Sequence, residues 1–117
     1  MHFKFEKLII WQKAMDYGED IYLLTKKFPN DEIYSLTSQT RRAVDSIALN
    51  IAEGSIGQSN PEQKKFIGYA IRSLAEVITC LFKAHKRNYI TRLEFDKNYE
   101  EGYNLMNMIN GFKNKIG

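Results

Sequence analysis

The chain has 117 residues and a formal net charge of +3, from 17 Lys+Arg against 14 Asp+Glu, a length that fits one domain hiding roughly two-thirds of its extended surface. With 44% hydrophobic and 26% charged residues the composition is globular rather than disordered, and one cysteine excludes an internal disulfide framework and a four-Cys zinc site. No uncharged apolar run is long enough to span a bilayer, and residues 1–13 (MHFKFEKLIIWQK) lack an apolar stretch followed by a small-residue cleavage site, so the expected location is cytoplasmic.

Breaks at Pro29-Asn30-Asp31-Glu32, Gly54-Ser55-Ile56-Gly57 and Asn88-Tyr89-Ile90-Thr91 separate four segments with helical rather than alternating periodicity. The first, about 7–28, puts Trp11, Ala14, Gly18, Ile21, Tyr22, Thr25 and Phe28 on one side. The second, about 35–56, carries an apolar stripe of Leu36, Ala43, Val44, Ile47 and Ile51. The third, about 60–87, opens on Ser59-Asn60-Pro61-Glu62, a capping box whose proline fits the first helical turn. The fourth, about 92–115, opens on a second box, Thr91-Arg92-Leu93-Glu94, and aligns Phe95, Tyr99, Gly102, Leu105, Met106, Ile109 and Phe112. Four amphipathic helices on short connections predict a single all-α domain, an antiparallel up-down-up-down four-helix bundle.

The modest net charge is unevenly placed. Residues 60–92 hold seven basic groups, Lys64, Lys65, Arg72, Lys83, Lys86, Arg87 and Arg92, against Glu62 and Glu76, so this segment is +5 and the remainder −2. At about 100° per residue the basic residues of the third helix form one broad stripe, opposite Phe66, Ala70, Leu74, Val77, Ile78 and Leu81. The stripe reads either as a solvated outer face or as a surface that neutralises phosphates without sequence preference. Tyr69 lies near its edge. There is no zinc-finger spacing and no strand for an RNA-recognition sheet, and Gly54-x-x-Gly57 without flanking strands is not a KH clamp.

Beside the apolar stripe of the second helix run Gln39, Arg42, Ser46, Asn50 and Glu53, at steps of three and four that place them on one face. Small residues around them, Ala43, Ala48, Ala52 and Gly54, allow close helix approach. Polar groups beside a core need partners. The seam is therefore an internal network, with Arg42 and Glu53 bonded to neighbours such as Glu76 on the third helix, or it faces a second subunit or a ligand.

Catalytic and cofactor patterns are missing. A di-iron bundle needs Glu-x-x-His pairs, and Phe82 stands three before His85. Cys80 and His85 are five apart with no second thiol ligand at helical spacing. Cys80 reads as a packing residue at the core's edge, without an activating base, and His85 as a satisfied core or interface histidine. There is no phosphate loop, nucleophile elbow or dinucleotide fingerprint. No metal, cofactor, small-molecule substrate or catalytic residue is expected. With 13% aromatic residues some rings must approach the surface, and Tyr17, Tyr69 and Tyr103 are candidates for a subunit interface.

The run Phe5-Glu6-Lys7-Leu8-Ile9-Ile10-Trp11-Gln12-Lys13-Ala14 resembles the opening of the four-helix-bundle proteins encoded by intervening sequences in bacterial 23S ribosomal RNA genes. The resemblance continues through Tyr22, Thr25, Phe28-Pro29 and Glu32-Ile33-Tyr34. It is most specific at Gln39-x-x-Arg42-Ala43-x-x-Ser46-Ile47-x-x-Asn50-Ile51-Ala52-Glu53-Gly54, and resumes at Phe66, Ala70, Ser73-Leu74-x-Glu76 and Leu81. Helix 4 matches by hydrophobic pattern alone. Ser35 and Arg72 stand where the family often has glycine. The resemblance implies a left-handed bundle assembling into a ring-like homo-oligomer, a pentamer. It also implies kinship with the accessory protein of diversity-generating retroelements, which partners a reverse transcriptase and RNA through a basic surface. The ribosomal-protein label borne by some members reflects gene location.

Three expectations follow. In the first, the chain is a non-enzymatic homo-oligomer that binds nucleic acid, RNA for preference, through Lys64, Lys65, Arg72, Lys83, Lys86 and Arg87. In the second, it is a scaffolding oligomer with a protein partner. In the third, it is an enzyme using Glu53 and Arg42 in a pocket on helix 2.

Overall fold

The N-terminal stretch opens as a short 3-10 turn, Lys4–Lys7, and an extended Leu8 separates it from helix α1, Ile9–Thr25. The Phe5 ring rests 5.1 Å from the Trp11 ring, centroid to centroid, and anchors the turn. The first helix is thus shorter than 7–28 at both ends. Its C-terminus is set by the Thr25 hydroxyl, which donates to the Tyr22 carbonyl at 2.6 Å, and by Pro29, which forbids continuation. A second 3-10 turn, Asn30–Glu32, leads into α2, Leu36–Ser55. Then come α3, Asn60–Lys86, and α4, Arg92–Asn114. The computed structural model describes residues 1–57 and 59–117.

Both expected N-cap side chains accept a backbone N–H, and the full capping box is seen at Thr91. Ser59 Oγ accepts the Glu62 N–H at 3.3 Å. At Thr91 the box is reciprocal: Oγ1 accepts the Glu94 N–H at 3.1 Å, and Glu94 Oε1 accepts the Thr91 N–H at 2.9 Å. Helix α3 ends through Asn88, which takes φ 62°. The Tyr89 N–H reaches the Ala84 carbonyl at 2.9 Å and the Asn88 N–H that of His85 at 3.0 Å. This is a Schellman ending, with asparagine in the left-handed position glycine usually holds. Asn88→Ala is therefore expected to cost about 1 kcal/mol, and Asn88→Gly to be neutral or stabilising, read by urea denaturation.

Each helix packs on its neighbours in sequence, α1 closes onto α4, and α1 and α3 stand on opposite corners. Ser46 meets Ser73 near the middle of α2 and α3, while Gly54 meets Phe66 at one end and Gln39 meets Glu76 towards the other. Phe82 on α3 meets Phe95 and Tyr99 on α4. Tyr17 on α1 reaches Asn98 on α4. The α2–α3 pairs run in opposite senses, as do Phe82–Phe95, Ile78–Gly102 and Gly68–Lys113 along α3 and α4, so each successive pair of these helices is antiparallel, and the short connection from α1 completes an up-down-up-down bundle. Its long dimension of 43 Å matches 27-residue α3, about 40 Å at 1.5 Å per residue.

The core is made by Ile10, Ala14, Tyr17, Ile21 and Leu24 of α1 with Val44, Ile47 and Ile51 of α2. From the other side come Ile67, Leu74, Val77 and Leu81 of α3 and Phe95, Leu105 and Ile109 of α4. Tyr17, expected at a surface interface, is fully buried. Its hydroxyl donates to the Asn98 carbonyl at 3.2 Å, which satisfies the one polar atom that argued against the core. Tyr22, expected on the core side, is exposed, with the Arg41 guanidinium 4.6 Å above its ring. Cys80 is buried, and burial pushes its thiol pKa up, away from reactive thiolate.

One end of the bundle is stitched by Glu32. It accepts from Tyr89 Oη at 2.5 Å and from the Arg87 guanidinium at 2.8 Å. The Tyr89 hydroxyl, the Leu36 N–H and the Arg87 charge hold its carboxyl below the usual value. Lys27 and Glu94 pair at the same end.

Candidate nucleic-acid interface

Helix α3 forms because its apolar positions repeat at three and four and its start is capped, and its burial on α2 and α4 fixes which side faces out. That outer side carries Lys65, Arg72, Lys83 and Lys86 exposed and Lys64 half-buried. From Lys64 to Lys86 the row spans about 33 Å. Among the described residues no ion pair includes any of these five. The Lys65 ammonium lies 6.0 Å from the Tyr69 ring centroid, and Tyr69 stands edge-on to Phe66 at 5.6 Å, a half-buried aromatic pair beside the row.

Arg87 departs from the other five. Its guanidinium is held by Glu32 across the bundle end, so its charge is already balanced and it is not a free phosphate contact. Glu76 lies on the same outer side and takes the Gln39 amide at 3.5 Å. The opposite corner is acidic: α1 carries one lysine against Asp16, Glu19 and Asp20. The bundle therefore has a basic edge and an acidic edge, a distribution that orients a polyanion towards α3.

The helix α2 seam divides. Ser46 and Ser73 hydroxyls are 2.9 Å apart, and Asn50 donates to the Ser46 side chain at 2.9 Å and its carbonyl at 2.8 Å. With Gln39 and Glu76, these residues lie along the α2–α3 seam. The expected partners of Arg42 and Glu53 are not there. Arg42 bonds Ser38 one turn earlier at 2.6 Å, and Glu53 makes no hydrogen bond or ion pair among the described residues. Both are exposed, because the seam rotates out towards solvent at their positions.

Residues 6–111 match the family model described as 23S rRNA-intervening sequence protein. The chain belongs to that family. Its fold is similar to a crystal structure of a protein of unknown function from the S23 ribosomal protein family of Bacteroides thetaiotaomicron, with TM-score 0.83 and 20% identity, covering 90% of this chain and 98% of that one. A search of curated proteins finds no match.

Two positions where this intervening-sequence family member departs from the glycine expectation behave differently. Ser35 is the residue before α2, and Arg72 projects from α3 into solvent and adds to the basic row. No helix among the described residues is long and apolar enough to cross a membrane. Nor does any group of three His, Cys, Asp or Glu stand where it could hold a metal ion.

Sequence spacing missed two features. Lys113, near the end of α4, lies against α3 at Gly68. On the acidic edge, a cleft of about 470 Å³ between α1 and α4 is lined by Lys13, Asp16, Tyr17, Asp20, Glu101 and Met108, among others. Burial, a hydrogen bond with Asp20 and its negative charge raise the Glu101 pKa from 4.5 to about 7, Asp16 adding to the rise and Lys97 opposing it. A carboxyl that binds its proton more tightly when folded stabilises at low pH, and that contribution disappears as pH rises through the folded value. The wild-type melting temperature is therefore expected to fall, relative to Glu101→Gln, as pH rises from 4.5 to beyond 7. Superimposable difference curves in a thermal scan series would contradict the assignment.

Proposed function

We propose that this chain is a non-enzymatic helical-bundle homo-oligomer that binds nucleic acid, RNA for preference, through the outer face of α3. The observation that carries the reading is the row Lys64, Lys65, Arg72, Lys83 and Lys86, five cations along one helix face without acidic partners among the described residues. Such a row neutralises phosphates and discriminates little between sequences.

Self-association is supported by two different apolar surfaces on opposite sides of the bundle. Between α1 and α2 runs a groove of about 460 Å³ lined by Trp11, Met15, Gly18, Ala48 and Leu49, with Glu19 and Asp45 on its rim. On the α3–α4 side Phe82, Tyr99 and Tyr103 form an exposed aromatic ladder, flanked by Arg92 over Phe95. A ladder from one copy seated in the groove of the next is a heterologous contact, which closes into a ring when the rotation permits. A ring would repeat the basic row once per subunit.

Light scattering with absorbance at two wavelengths on the purified particle tests both parts. The expected result is a mass of several subunits with co-purifying nucleic acid released at high salt. A monomer free of nucleic acid would overturn the reading. An oligomer without nucleic acid that retains a protein instead would favour the scaffolding alternative.

A further inference from the structure

Gly68 sits inside α3 towards the N-terminal end of the basic row, between Lys64-Lys65 and Arg72. Lys64, Lys65 and Arg72 lie one helical turn from it, at i−4, i−3 and i+4, where Cβ atoms are about 5–6 Å apart. From α4, Lys113 extends its ammonium to 3.9 Å from the place a Cβ on residue 68 would occupy, and apart from the adjoining residues and the helix's own backbone nothing else comes within 4 Å of that place. Helix α3 therefore carries no side chain at this point, Lys113 reaches it from α4, and Lys64, Lys65 and Arg72 stand one turn away along α3. Lys113 belongs to no ion pair among the described residues.

Neither backbone nor packing explains the glycine. No glycine has positive φ, and a methyl group at 68 would meet Lys113 at an ordinary contact distance. Glycine within a helix is less stable than alanine, so the bare position costs stability. An anion placed there would meet the Lys113 ammonium and lie within reach of the cations one turn away.

We infer that the Gly68 notch, walled by Lys64, Lys65, Arg72 and Lys113, is a seat for a single phosphate group, occupied by a phosphodiester of the bound strand. This rests on the nucleic-acid reading and adds Lys113, which that reading did not include. The bare backbone lets the phosphate approach the helix, and Lys113 closes the seat from α4.

The test is fluorescence anisotropy of a labelled oligouridylate of about 20 nucleotides with the full chain, with thermal melts of every variant. Lys113→Gln is expected to lower affinity about 5-fold or more and to reduce the salt slope by about 0.7. Lys115→Gln removes the same charge from an exposed lysine two residues on and is expected to change affinity less than about 2-fold. Gly68→Asp fills the seat with a carboxylate and is expected to lose about 10-fold or more without a lower melting temperature. If Lys113→Gln and Lys115→Gln behave alike while Lys64→Glu with Lys65→Glu abolishes binding, the notch is wrong and the basic face stands. If the wild type shows no salt-dependent binding, the face fails and the notch with it. Calorimetric titration with inorganic phosphate alone is expected to show no saturable heat below about 10 mM, since a lone phosphate lacks the strand's other contacts. Saturable heat lost in Lys113→Gln would overturn the strand assignment in favour of a free-anion site.

Discussion

Replacing Lys64, Lys65 and Arg72 together with glutamate is expected to weaken binding to a labelled RNA oligonucleotide about 100-fold or more near 0.1 M salt. The three side chains share one end of the α3 outer face, and none is held in an ion pair among the described residues. Each exchange removes a phosphate partner and adds a repulsive charge, so local charge changes by six units. None of the three belongs to the hydrophobic core or caps a helix. Surface substitutions away from caps and core shift stability by about 0.5 kcal/mol or less. The triple variant should therefore melt within a few degrees of wild type. Anisotropy read beside a melting curve separates lost affinity from lost structure. Unchanged affinity would return the row to an ordinary solvated face.

Gly102→Ala is the second large effect, and it falls on stability. A methyl group at 102 would stand 2.6 Å from Tyr17 Oη and 2.7 Å from Ile78 Cδ1. Ile78 has rotamers to spare, but the Tyr17 ring is fully buried and its hydroxyl is bonded to the Asn98 carbonyl at 3.2 Å. Overpacking of this kind costs about 1–3 kcal/mol, against about 1 kcal/mol gained from helix propensity. The net expectation is a fall in melting temperature of about 4–8 °C. Tyr17→Phe removes the oxygen nearest the new methyl group. The double variant should regain part of the loss, with a coupling energy of about 0.5–1.5 kcal/mol. Gly18→Ala, with nothing within 4 Å, is the control and should be neutral or stabilising.

The architecture was legible because its signals are local. Ser59 and Thr91 cap the helices they announce, Pro29 ends α1 and Asn88 ends α3, and apolar spacing of three and four finds the core of α2 and α3. What escaped depends on how helices rotate against one another. Tyr17 has a polar tip, and no spacing rule supplies the Asn98 carbonyl that receives it. The first helix is shorter than its apolar pattern because Leu8 breaks the N-terminal run without a capping side chain and Pro29 stops the other end. Arg87 belongs with its neighbours by sequence, and only the folded chain brings Glu32, 55 residues away, to its guanidinium. Arg42 and Glu53 share a helix face with Ser46 and Asn50, yet a few tens of degrees carry them from the α2–α3 seam into water. Lys113 could not be found from helix 3 at all, since it arrives from α4.

The most direct measurement of the central claim is the salt dependence of RNA affinity for the unmodified protein. Five phosphate contacts by α3 predict a slope of log K against log salt of about −3.5 for a single strand, steeper where neighbouring subunits add their rows. A slope near zero, or no binding at about 0.05 M salt, would contradict it.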